Sequence, residues 1–164
     1  SKNFLSIKGD SVYWDDTKLE IPVIYTGAID DLLNYKYGKL PYRSLKFVWN
    51  TETKSHHQQA ALVAYPEAEG YTRITEYNFF PNQIKKSNYS SLAYEYPIMC
   101  GENNDVEPYY PVLTTESMQL FEKYKQEIGK FNNLYLCGRL AEFKYYNMDQ
   151  ALQSALNMCE YNFK

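Results

Sequence analysis

The period of hydrophobic and polar positions changes along the chain, and each change predicts an element. After a polar lead from Ser1 to Asp16, Leu19 to Thr26 is a short run rich in Ile, Val and Tyr, the signature of a buried strand that tolerates Pro22 only near its start. Gly27 ends it, and Asp30 to Tyr37 reads as a brief helix with acids in the first turn, where the helix dipole favours them. Arg43, Leu45, Phe47 and Trp49 then alternate with Ser44, Lys46 and Val48, a period of two that predicts a half-buried strand with Arg43 on its apolar face. Gln58 to Tyr65, Tyr71 to Phe80 and Ser90 to Tyr96 repeat the strand signal, separated by Pro66 to Gly70 and by Pro81-Asn82-Gln83, so an antiparallel sheet is expected. Cys100 to Glu107 is polar and loop-like, and Pro108-Tyr109-Tyr110-Pro111 fixes the backbone around paired tyrosines.

From Thr114 the period becomes helical. Met118, Phe121, Tyr124 or Lys125, and Ile128 fall three and four apart, with Thr114 as N-cap and Gly129 as stop. Leu134 to Cys137 is a further short strand, and Asn147 caps a last helix whose Met148, Ala151, Leu152, Ala155 and Leu156 form one apolar stripe. The ends resemble pieces of an α/β layer and the middle an inserted antiparallel sheet. The opening at Ser1 without a methionine fits a trimmed chain.

Composition narrows the function classes. With 164 residues, 17 Lys and Arg against 20 Asp and Glu, and a net charge of −3, the chain is no polybasic nucleic-acid binder. Its longest apolar run, Ala60 to Tyr65, is far short of the ~18 residues of a membrane span. Cys100, Cys137 and Cys159 have no CxxC spacing, which favours reduced thiols and a cytoplasmic location. The seven glycines come no closer than nine residues, at Gly129 and Gly138, which excludes both GxGxxG and the P-loop. The outlier is tyrosine, at 18 residues. A phenol offers a flat apolar face and a hydroxyl rim, suited to stacking a ring while bonding sugar or phosphate oxygens, although aromatic residues are also simply good strand formers.

Five separated motifs carry a resemblance. Tyr25-Thr26-Gly27-Ala28-Ile29-Asp30, Tyr37 to Phe47, Tyr71 to Glu76, Pro108 to Pro111 and Gly138 to Met148 occur in the order and approximate spacing of the UDP-galactopyranose mutases, which the chain resembles. The resemblance covers nearly all of this chain but about the C-terminal half of that family's enzymes, without their N-terminal FAD fingerprint and most of their helical domain. It implies an α+β fragment: an antiparallel substrate-side sheet at 38–111, with the flanking pieces at 1–37 and 112–164 closing an incomplete Rossmann-like FAD domain.

The implied activity of the whole enzyme is to interconvert UDP-galactopyranose and UDP-galactofuranose for cell-surface polysaccharide synthesis. Reduced FAD attacks the anomeric carbon, expels UDP and lets the sugar open and reclose, with no net redox change. The resemblance assigns Tyr110 and Tyr145 to the diphosphate as catalytic residues, Tyr109, Asn147 and Arg73 to the substrate, and Thr26, Gly27, Gly138, Arg139 and the Met148 amide to the flavin. No metal is implied. The expected partners are the nucleotide sugar and the missing N-terminal segment, with a homo-oligomer left open, and the fragment alone is expected to be inactive and to keep no FAD.

The chain departs from the family pattern in three places. Ile98 stands where a catalytic arginine is usual, Asn147 where an Asp is usual, and Tyr77-Asn78-Phe79 replaces a histidine-flanked run; Lys85 or Lys86 is a candidate substitute cation. Ile98 and Asn147 support two rival readings: a non-catalytic nucleotide-sugar or glycan-binding module, and the interaction portion of a larger amine-oxidase-like flavoprotein. His56-His57 reads as a solvated loop without spaced metal ligands, Cys100 as structural, and Asp30-Asp31 as helix-start charges rather than a glycosidase dyad.

Overall fold

A computed structural model describes residues 5–81, 88–101 and 106–163. The chain divides into two units, one formed by the segment up to Arg43 together with Pro108 onward, the other by Ser44–Glu107. Lys85 and Lys86, the candidate substitute cations, lie outside the described residues, as do Asn82 and Gln83.

The first unit opens with a three-stranded antiparallel meander of β1 (Leu5–Lys8), β2 (Ser11–Trp14) and β3 (Thr17–Lys18). The polar lead is therefore a sheet. Its strands are too short to display a period, and Gly9 and Asp15 turn the corners at φ 59° and 52°. Next, β4 (Val23–Tyr25) pairs in parallel with β10 (Leu134–Leu136), and no further strand joins either edge among the described residues. The helix expected over Asp30 to Tyr37 is a single turn, α1 (Ile29–Leu32), followed by turns in which Asn34 and Tyr35 adopt φ 49° and 54°.

Helix α2 (Thr115–Ile128) matches its sequence signals: the Ser117 amide donates to Thr114 Oγ1 at 3.2 Å while the Thr114 amide donates to Ser117 Oγ at 2.8 Å. Phe121, Tyr124 and Ile128 bury its inner stripe. The Tyr124 hydroxyl donates to Gly38 O at 2.6 Å and accepts from the Tyr37 amide at 3.0 Å, which fastens the loop after α1. Under that loop Asp30 is only 3% exposed; its Oδ2 accepts the Leu40 amide at 2.8 Å and its Oδ1 has no partner, so burial pushes its pKa up.

Helix α3 (Met148–Asn162) begins where Asn147 predicts, but the apolar stripe does not bury as expected. Ala151, Ser154, Ala155 and Met158 are half-buried, whereas Leu152 and Leu156 are exposed and Met148 is 87% exposed. The Ser154 hydroxyl donates to Glu142 at 2.8 Å, and this contact turns the small-residue face inward.

Strand β5 (Tyr42–Glu52) runs from the first unit into the second. In the second unit β6 (Leu62–Ala64), β7 (Arg73–Glu76) and β8 (Ser90–Met99) form antiparallel pairs, and β5 lies beside β8. A correction concerns β5, where Arg43, Phe47 and Trp49 are exposed and Leu45 is half-buried, while on the other parity Tyr42 and Ser44 are buried and Lys46, Val48 and Asn50 are exposed. Tyr42 and Ser44 take the inner side because their hydroxyls find acceptors there, Leu140 O at 3.3 Å and Glu107 O at 2.5 Å respectively. Trp49 stacks on Tyr77 at 5.3 Å instead of entering a core.

Much of the tyrosine excess is structural, since Tyr71 packs edgewise on Tyr65, Tyr94 and Tyr96 at 5.6, 5.2 and 6.0 Å. The architecture is thus mixed α+β with an antiparallel sheet. No described helix is long and apolar enough to cross a membrane.

Candidate functional site

The candidate residues of the first unit are held by the turn between β10 and α3. Two left-handed residues shape it, Gly138 at φ 91° and Phe143 at φ 48°. A Cβ at Gly138 would meet nothing within 4 Å, so glycine serves the backbone conformation and leaves open space beside it. A phenylalanine in this region costs about 1–2 kcal/mol. It persists because its ring is buried, stacked on Phe121 at 5.4 Å and edge-on to Tyr42 at 5.4 Å. Glu142 ties the turn together by accepting from the Gly138 amide at 3.0 Å, the Tyr146 hydroxyl at 3.0 Å and Ser154 at 2.8 Å. Burial would raise its pKa, but these donors and Lys144 hold it below the usual carboxylate range.

Arg139 is fixed by its own turn. Its Nε and Nη2 donate to Tyr146 O at 3.0 and 2.6 Å, and its Nη1 reaches Tyr109 O at 3.5 Å. So placed, its guanidinium lies 4.3 Å from the centroid of the Tyr110 ring, and that ring stacks on Tyr145 at 4.8 Å with 23° between planes. Tyr110 belongs to β9 (Tyr110–Pro111), which pairs antiparallel with the start of β5. Tyr145 is 59% exposed, so the stack presents an aromatic wall with a cation against it.

The strands β4 and β10 are parallel and in register through Tyr25 and Leu136, so both chains leave the pair at the same end. Thr26-Gly27 follows one strand and Cys137-Gly138-Arg139 the other, joined by the Cys137 amide donating to Tyr25 O at 3.0 Å. Carboxyl ends of parallel strands are where such layers bind ligands. At Gly27 a Cβ would lie 2.6 Å from the Tyr25 hydroxyl, which itself donates to Ala28 O, so glycine is required there by packing.

Nine of the ten site residues expected from sequence thus fall into three sets within the first unit. Tyr109, Tyr110, Arg139 and Tyr145 come together; Asn147 and Met148 start α3 on the same turn, with the Asn147 amide donating to Gln150 Oε1 at 2.8 Å; and Thr26, Gly27 and Gly138 meet at the strand ends. Arg73 belongs to the second unit, where its Nε contacts Glu95 Oε2 at 2.5 Å, so its charge is already paired. Ile98 is also in that unit, on β8.

Two residues of the cluster are absent from the sequence-based set. Arg43 stands directly across from Tyr110 in the β5–β9 register, and Glu142 organises the turn. The first rests on a pairing between distant segments that no local spacing displays; the second could have been sought in the four-residue spacing of Gly138, Glu142 and Tyr146. The paired histidines are not merely solvated. His57 Nδ1 lies 2.8 Å from Glu52, and His56 stacks on Phe79 at 4.4 Å beside the buried Glu76. Among the described residues no group of three or more His, Cys, Asp or Glu could hold a metal ion.

The sequence profile of the UDP-galactopyranose mutase family matches residues 2–145. The chain is 36% identical over 152 residues to a UDP-galactopyranose mutase of Mycoplasma genitalium, covering 92% of this chain and 38% of the relative. It is 31% identical over 160 residues to the Mycoplasma pneumoniae enzyme of the same name, covering 96% and 40%. A dTDP-fucopyranose mutase of Escherichia coli is 31% identical over 144 residues, covering 87% and 37%. The chain therefore spans about two fifths of the length of these curated relatives.

Proposed function

Because the chain belongs to the UDP-galactopyranose mutase family, we propose that it supplies one wall of a site that interconverts the pyranose and furanose rings of UDP-galactose. The observation that carries this reading is the Tyr110–Tyr145 stack with the Arg139 guanidinium against it. A diphosphate leaving group needs hydroxyl and cationic donors at a water-poor surface, and a sugar ring needs a flat apolar face; this cluster offers both. Tyr110 and Tyr145 donate to the diphosphate, while Tyr109 and Asn147 border the sugar nucleotide. Arg73, also expected at the substrate, would have to act with its charge shared by Glu95.

The residues also fit FAD. Open space stands beside the left-handed Gly138, and the first-turn amides of α3 at Met148 and Asp149 have no helical acceptor, so they offer donors to an anionic edge. Thr26, Gly27, Gly138, Arg139 and the Met148 amide would hold the flavin. When bound in reduced form, that cofactor supplies the electron-rich centre at which the sugar is released and recaptured without net redox change. The chain's own residues orient the ring through the tyrosine wall, bind the departing diphosphate and hold its charge until it recombines.

In this reading β4, β10 and α3 are parts of a Rossmann-like layer completed by polypeptide outside the described chain. Residues 1–37 and 112–164 serve the flavin side, and 38–111 the substrate side. The isolated chain, with its glycines spaced too far apart for a dinucleotide cradle, purifies colourless and inactive. A protein carrying this chain together with a glycine-rich FAD segment, reduced with dithionite, converts UDP-galactofuranose. Tyr110→Phe lowers its turnover about 10- to 100-fold, the loss of one charge-assisted hydrogen bond. Unchanged kinetics remove Tyr110 from the site, and a stoichiometric yellow flavin on the isolated chain overturns the division of labour. The E. coli relative's name makes dTDP-fucose the second sugar nucleotide to assay.

Ile98, at a position where a catalytic arginine is usual, favours a second reading in which the same wall binds a nucleotide sugar without converting it. Binding of UDP-galactose by the reduced protein with no ring interconversion selects that reading.

A further inference from the structure

We propose that strand β5 pairs with the β5 of a second copy of this chain, antiparallel about a two-fold axis at Trp49. In the five-stranded sheet β5 has β8 on one side and β9 on the other, and β9 covers it only at Tyr42 and Arg43. Beyond Ser44, whose hydroxyl donates to Glu107 O, no strand among the described residues lies on that side. The covered end shows which main-chain groups face the open edge. The carbonyls of Pro41 and Arg43 accept the Val112 and Tyr109 amides, each at 2.9 Å. Strand residues two apart face the same way, so Leu45, Phe47, Trp49 and Thr51 turn their amides and carbonyls to the open side. There the Thr51 amide donates to the Asn50 side-chain oxygen at 2.9 Å, a local substitute for a missing strand. Phe47, Val48 and Trp49 line this stretch and are 42, 40 and 63% exposed, apolar surface that a sheet edge ordinarily keeps covered.

The charges along the edge identify the occupant, because its sequence is complementary to itself. Edge-facing residues must oppose edge-facing residues, so odd positions meet odd positions. With Trp49 opposite Trp49, Phe47 meets Thr51 of the second copy and both pairs exchange main-chain hydrogen bonds. The same register sets Lys46 opposite Glu52, twice by symmetry. No other two-fold register of β5 gives Lys46 a carboxylate: centred one residue earlier it meets Asn50, and one residue later it meets Lys54. Lys46 is exposed, and Glu52 is half-buried with His57 Nδ1 2.8 Å from its carboxylate, which holds it in position. These two residues occupy the non-hydrogen-bonded pairs of the ladder, where side chains lie closest, so opposite charges attract and like charges repel. On the other face the two Trp49 rings lie side by side, each backed by its own Tyr77 at 5.3 Å. A second copy therefore satisfies hydrogen bonds, aromatic surface and charge at once. The contact is short, so the dimer is weak and depends on concentration.

The test is a charge swap in the 164-residue chain, read by analytical ultracentrifugation and by hydrogen exchange at the Phe47 and Trp49 amides. The parent associates between micromolar and millimolar concentration, and both amides exchange more slowly as it does. Lys46→Glu and Glu52→Lys each set like charges opposite one another and weaken association about 10- to 30-fold. Mixing the two variants restores it, because each presents the charge that the other lacks. The double variant K46E/E52K, with both charges exchanged in one chain, associates as the parent does, which a chain damaged in its fold would not. A parent that stays monomeric at millimolar concentration overturns the proposal and leaves the edge to a strand of another protein. Association that ignores both swaps, or that leaves the Phe47 and Trp49 amides unprotected, belongs to another surface and overturns it equally. Loss of association in both single variants without recovery on mixing or in the double variant overturns the register about Trp49.

Discussion

Two carboxylates, one in each unit, gather donors in the same way to different ends. Glu76, fully buried in the second unit, accepts from the amides of His57 and Gln58 at 3.0 and 2.9 Å and from the Ser90 hydroxyl. It draws the 56–58 segment onto β7 and β8, and every group it gathers is thereby satisfied. Glu142, in the first unit, accepts from Gly138, Tyr146 and Ser154, but the turn it braces ends in groups that stay open: the exposed Tyr145 and the start of α3. A buried polar hub whose donors are all internal is a closure device. One whose neighbours keep donors to spare is the support of a binding surface.

That contrast can be broken in order of effect. Glu76→Ala leaves several buried donors unpaired and should cost about 3 kcal/mol in urea unfolding at unchanged m-value, with the NMR shifts that UDP induces in the Tyr110 and Tyr145 rings intact. Glu142→Ala should cost less, about 1–2 kcal/mol, yet abolish those shifts; the reverse assignment of the two outcomes would undo the comparison. Both glutamates have pKa values below the ordinary carboxylate range, held there against burial by their hydrogen-bond donors. The stability they confer is therefore complete above the unfolded-state value and declines as pH falls through their depressed values, so the cost of either substitution shrinks in acid. The smallest effect has the opposite sign. Asp30 has a raised pKa and an unpartnered Oδ1, so Asp30→Asn should stabilise the chain at pH 7 by roughly 0.5–1 kcal/mol. That gain fades as pH drops through the raised value, because the native carboxyl then takes up a proton that the unfolded chain still lacks.

Legibility followed the range of the interactions. Helix α2 could be read in its cap, its terminating glycine and the stripe of Phe121, Tyr124 and Ile128, all local, whereas Met118, expected on that stripe, is 40% exposed and Ser117 is buried instead. The burial of α3 could not, since the face turned inward carries Ser154, which reaches Glu142 across the turn, while Leu152 and Leu156 stay exposed. Strand β5 was found by its alternation, but the alternation does not say which parity faces in; hydroxyl acceptors for Tyr42 and Ser44 decide that. At the candidate site, the motifs around Tyr110 and Gly138 to Met148 were visible, and the stacking of Tyr110 on Tyr145 joins the two. Arg43 was visible inside the Tyr37 to Phe47 motif, but its pairing with Tyr110, 67 positions away, is a fact of register alone.

The parallel pair of β4 and β10 has a practical consequence. Among the described residues no further strand lies on the outer side of either one, Ile24 is exposed, and neither strand contains a charged residue to repel a visitor. Concentrated solutions of the isolated chain will zip together along this selvedge, so its measured mass will climb with dilution reversed, and any polypeptide that caps the ribbon will act as its solubiliser.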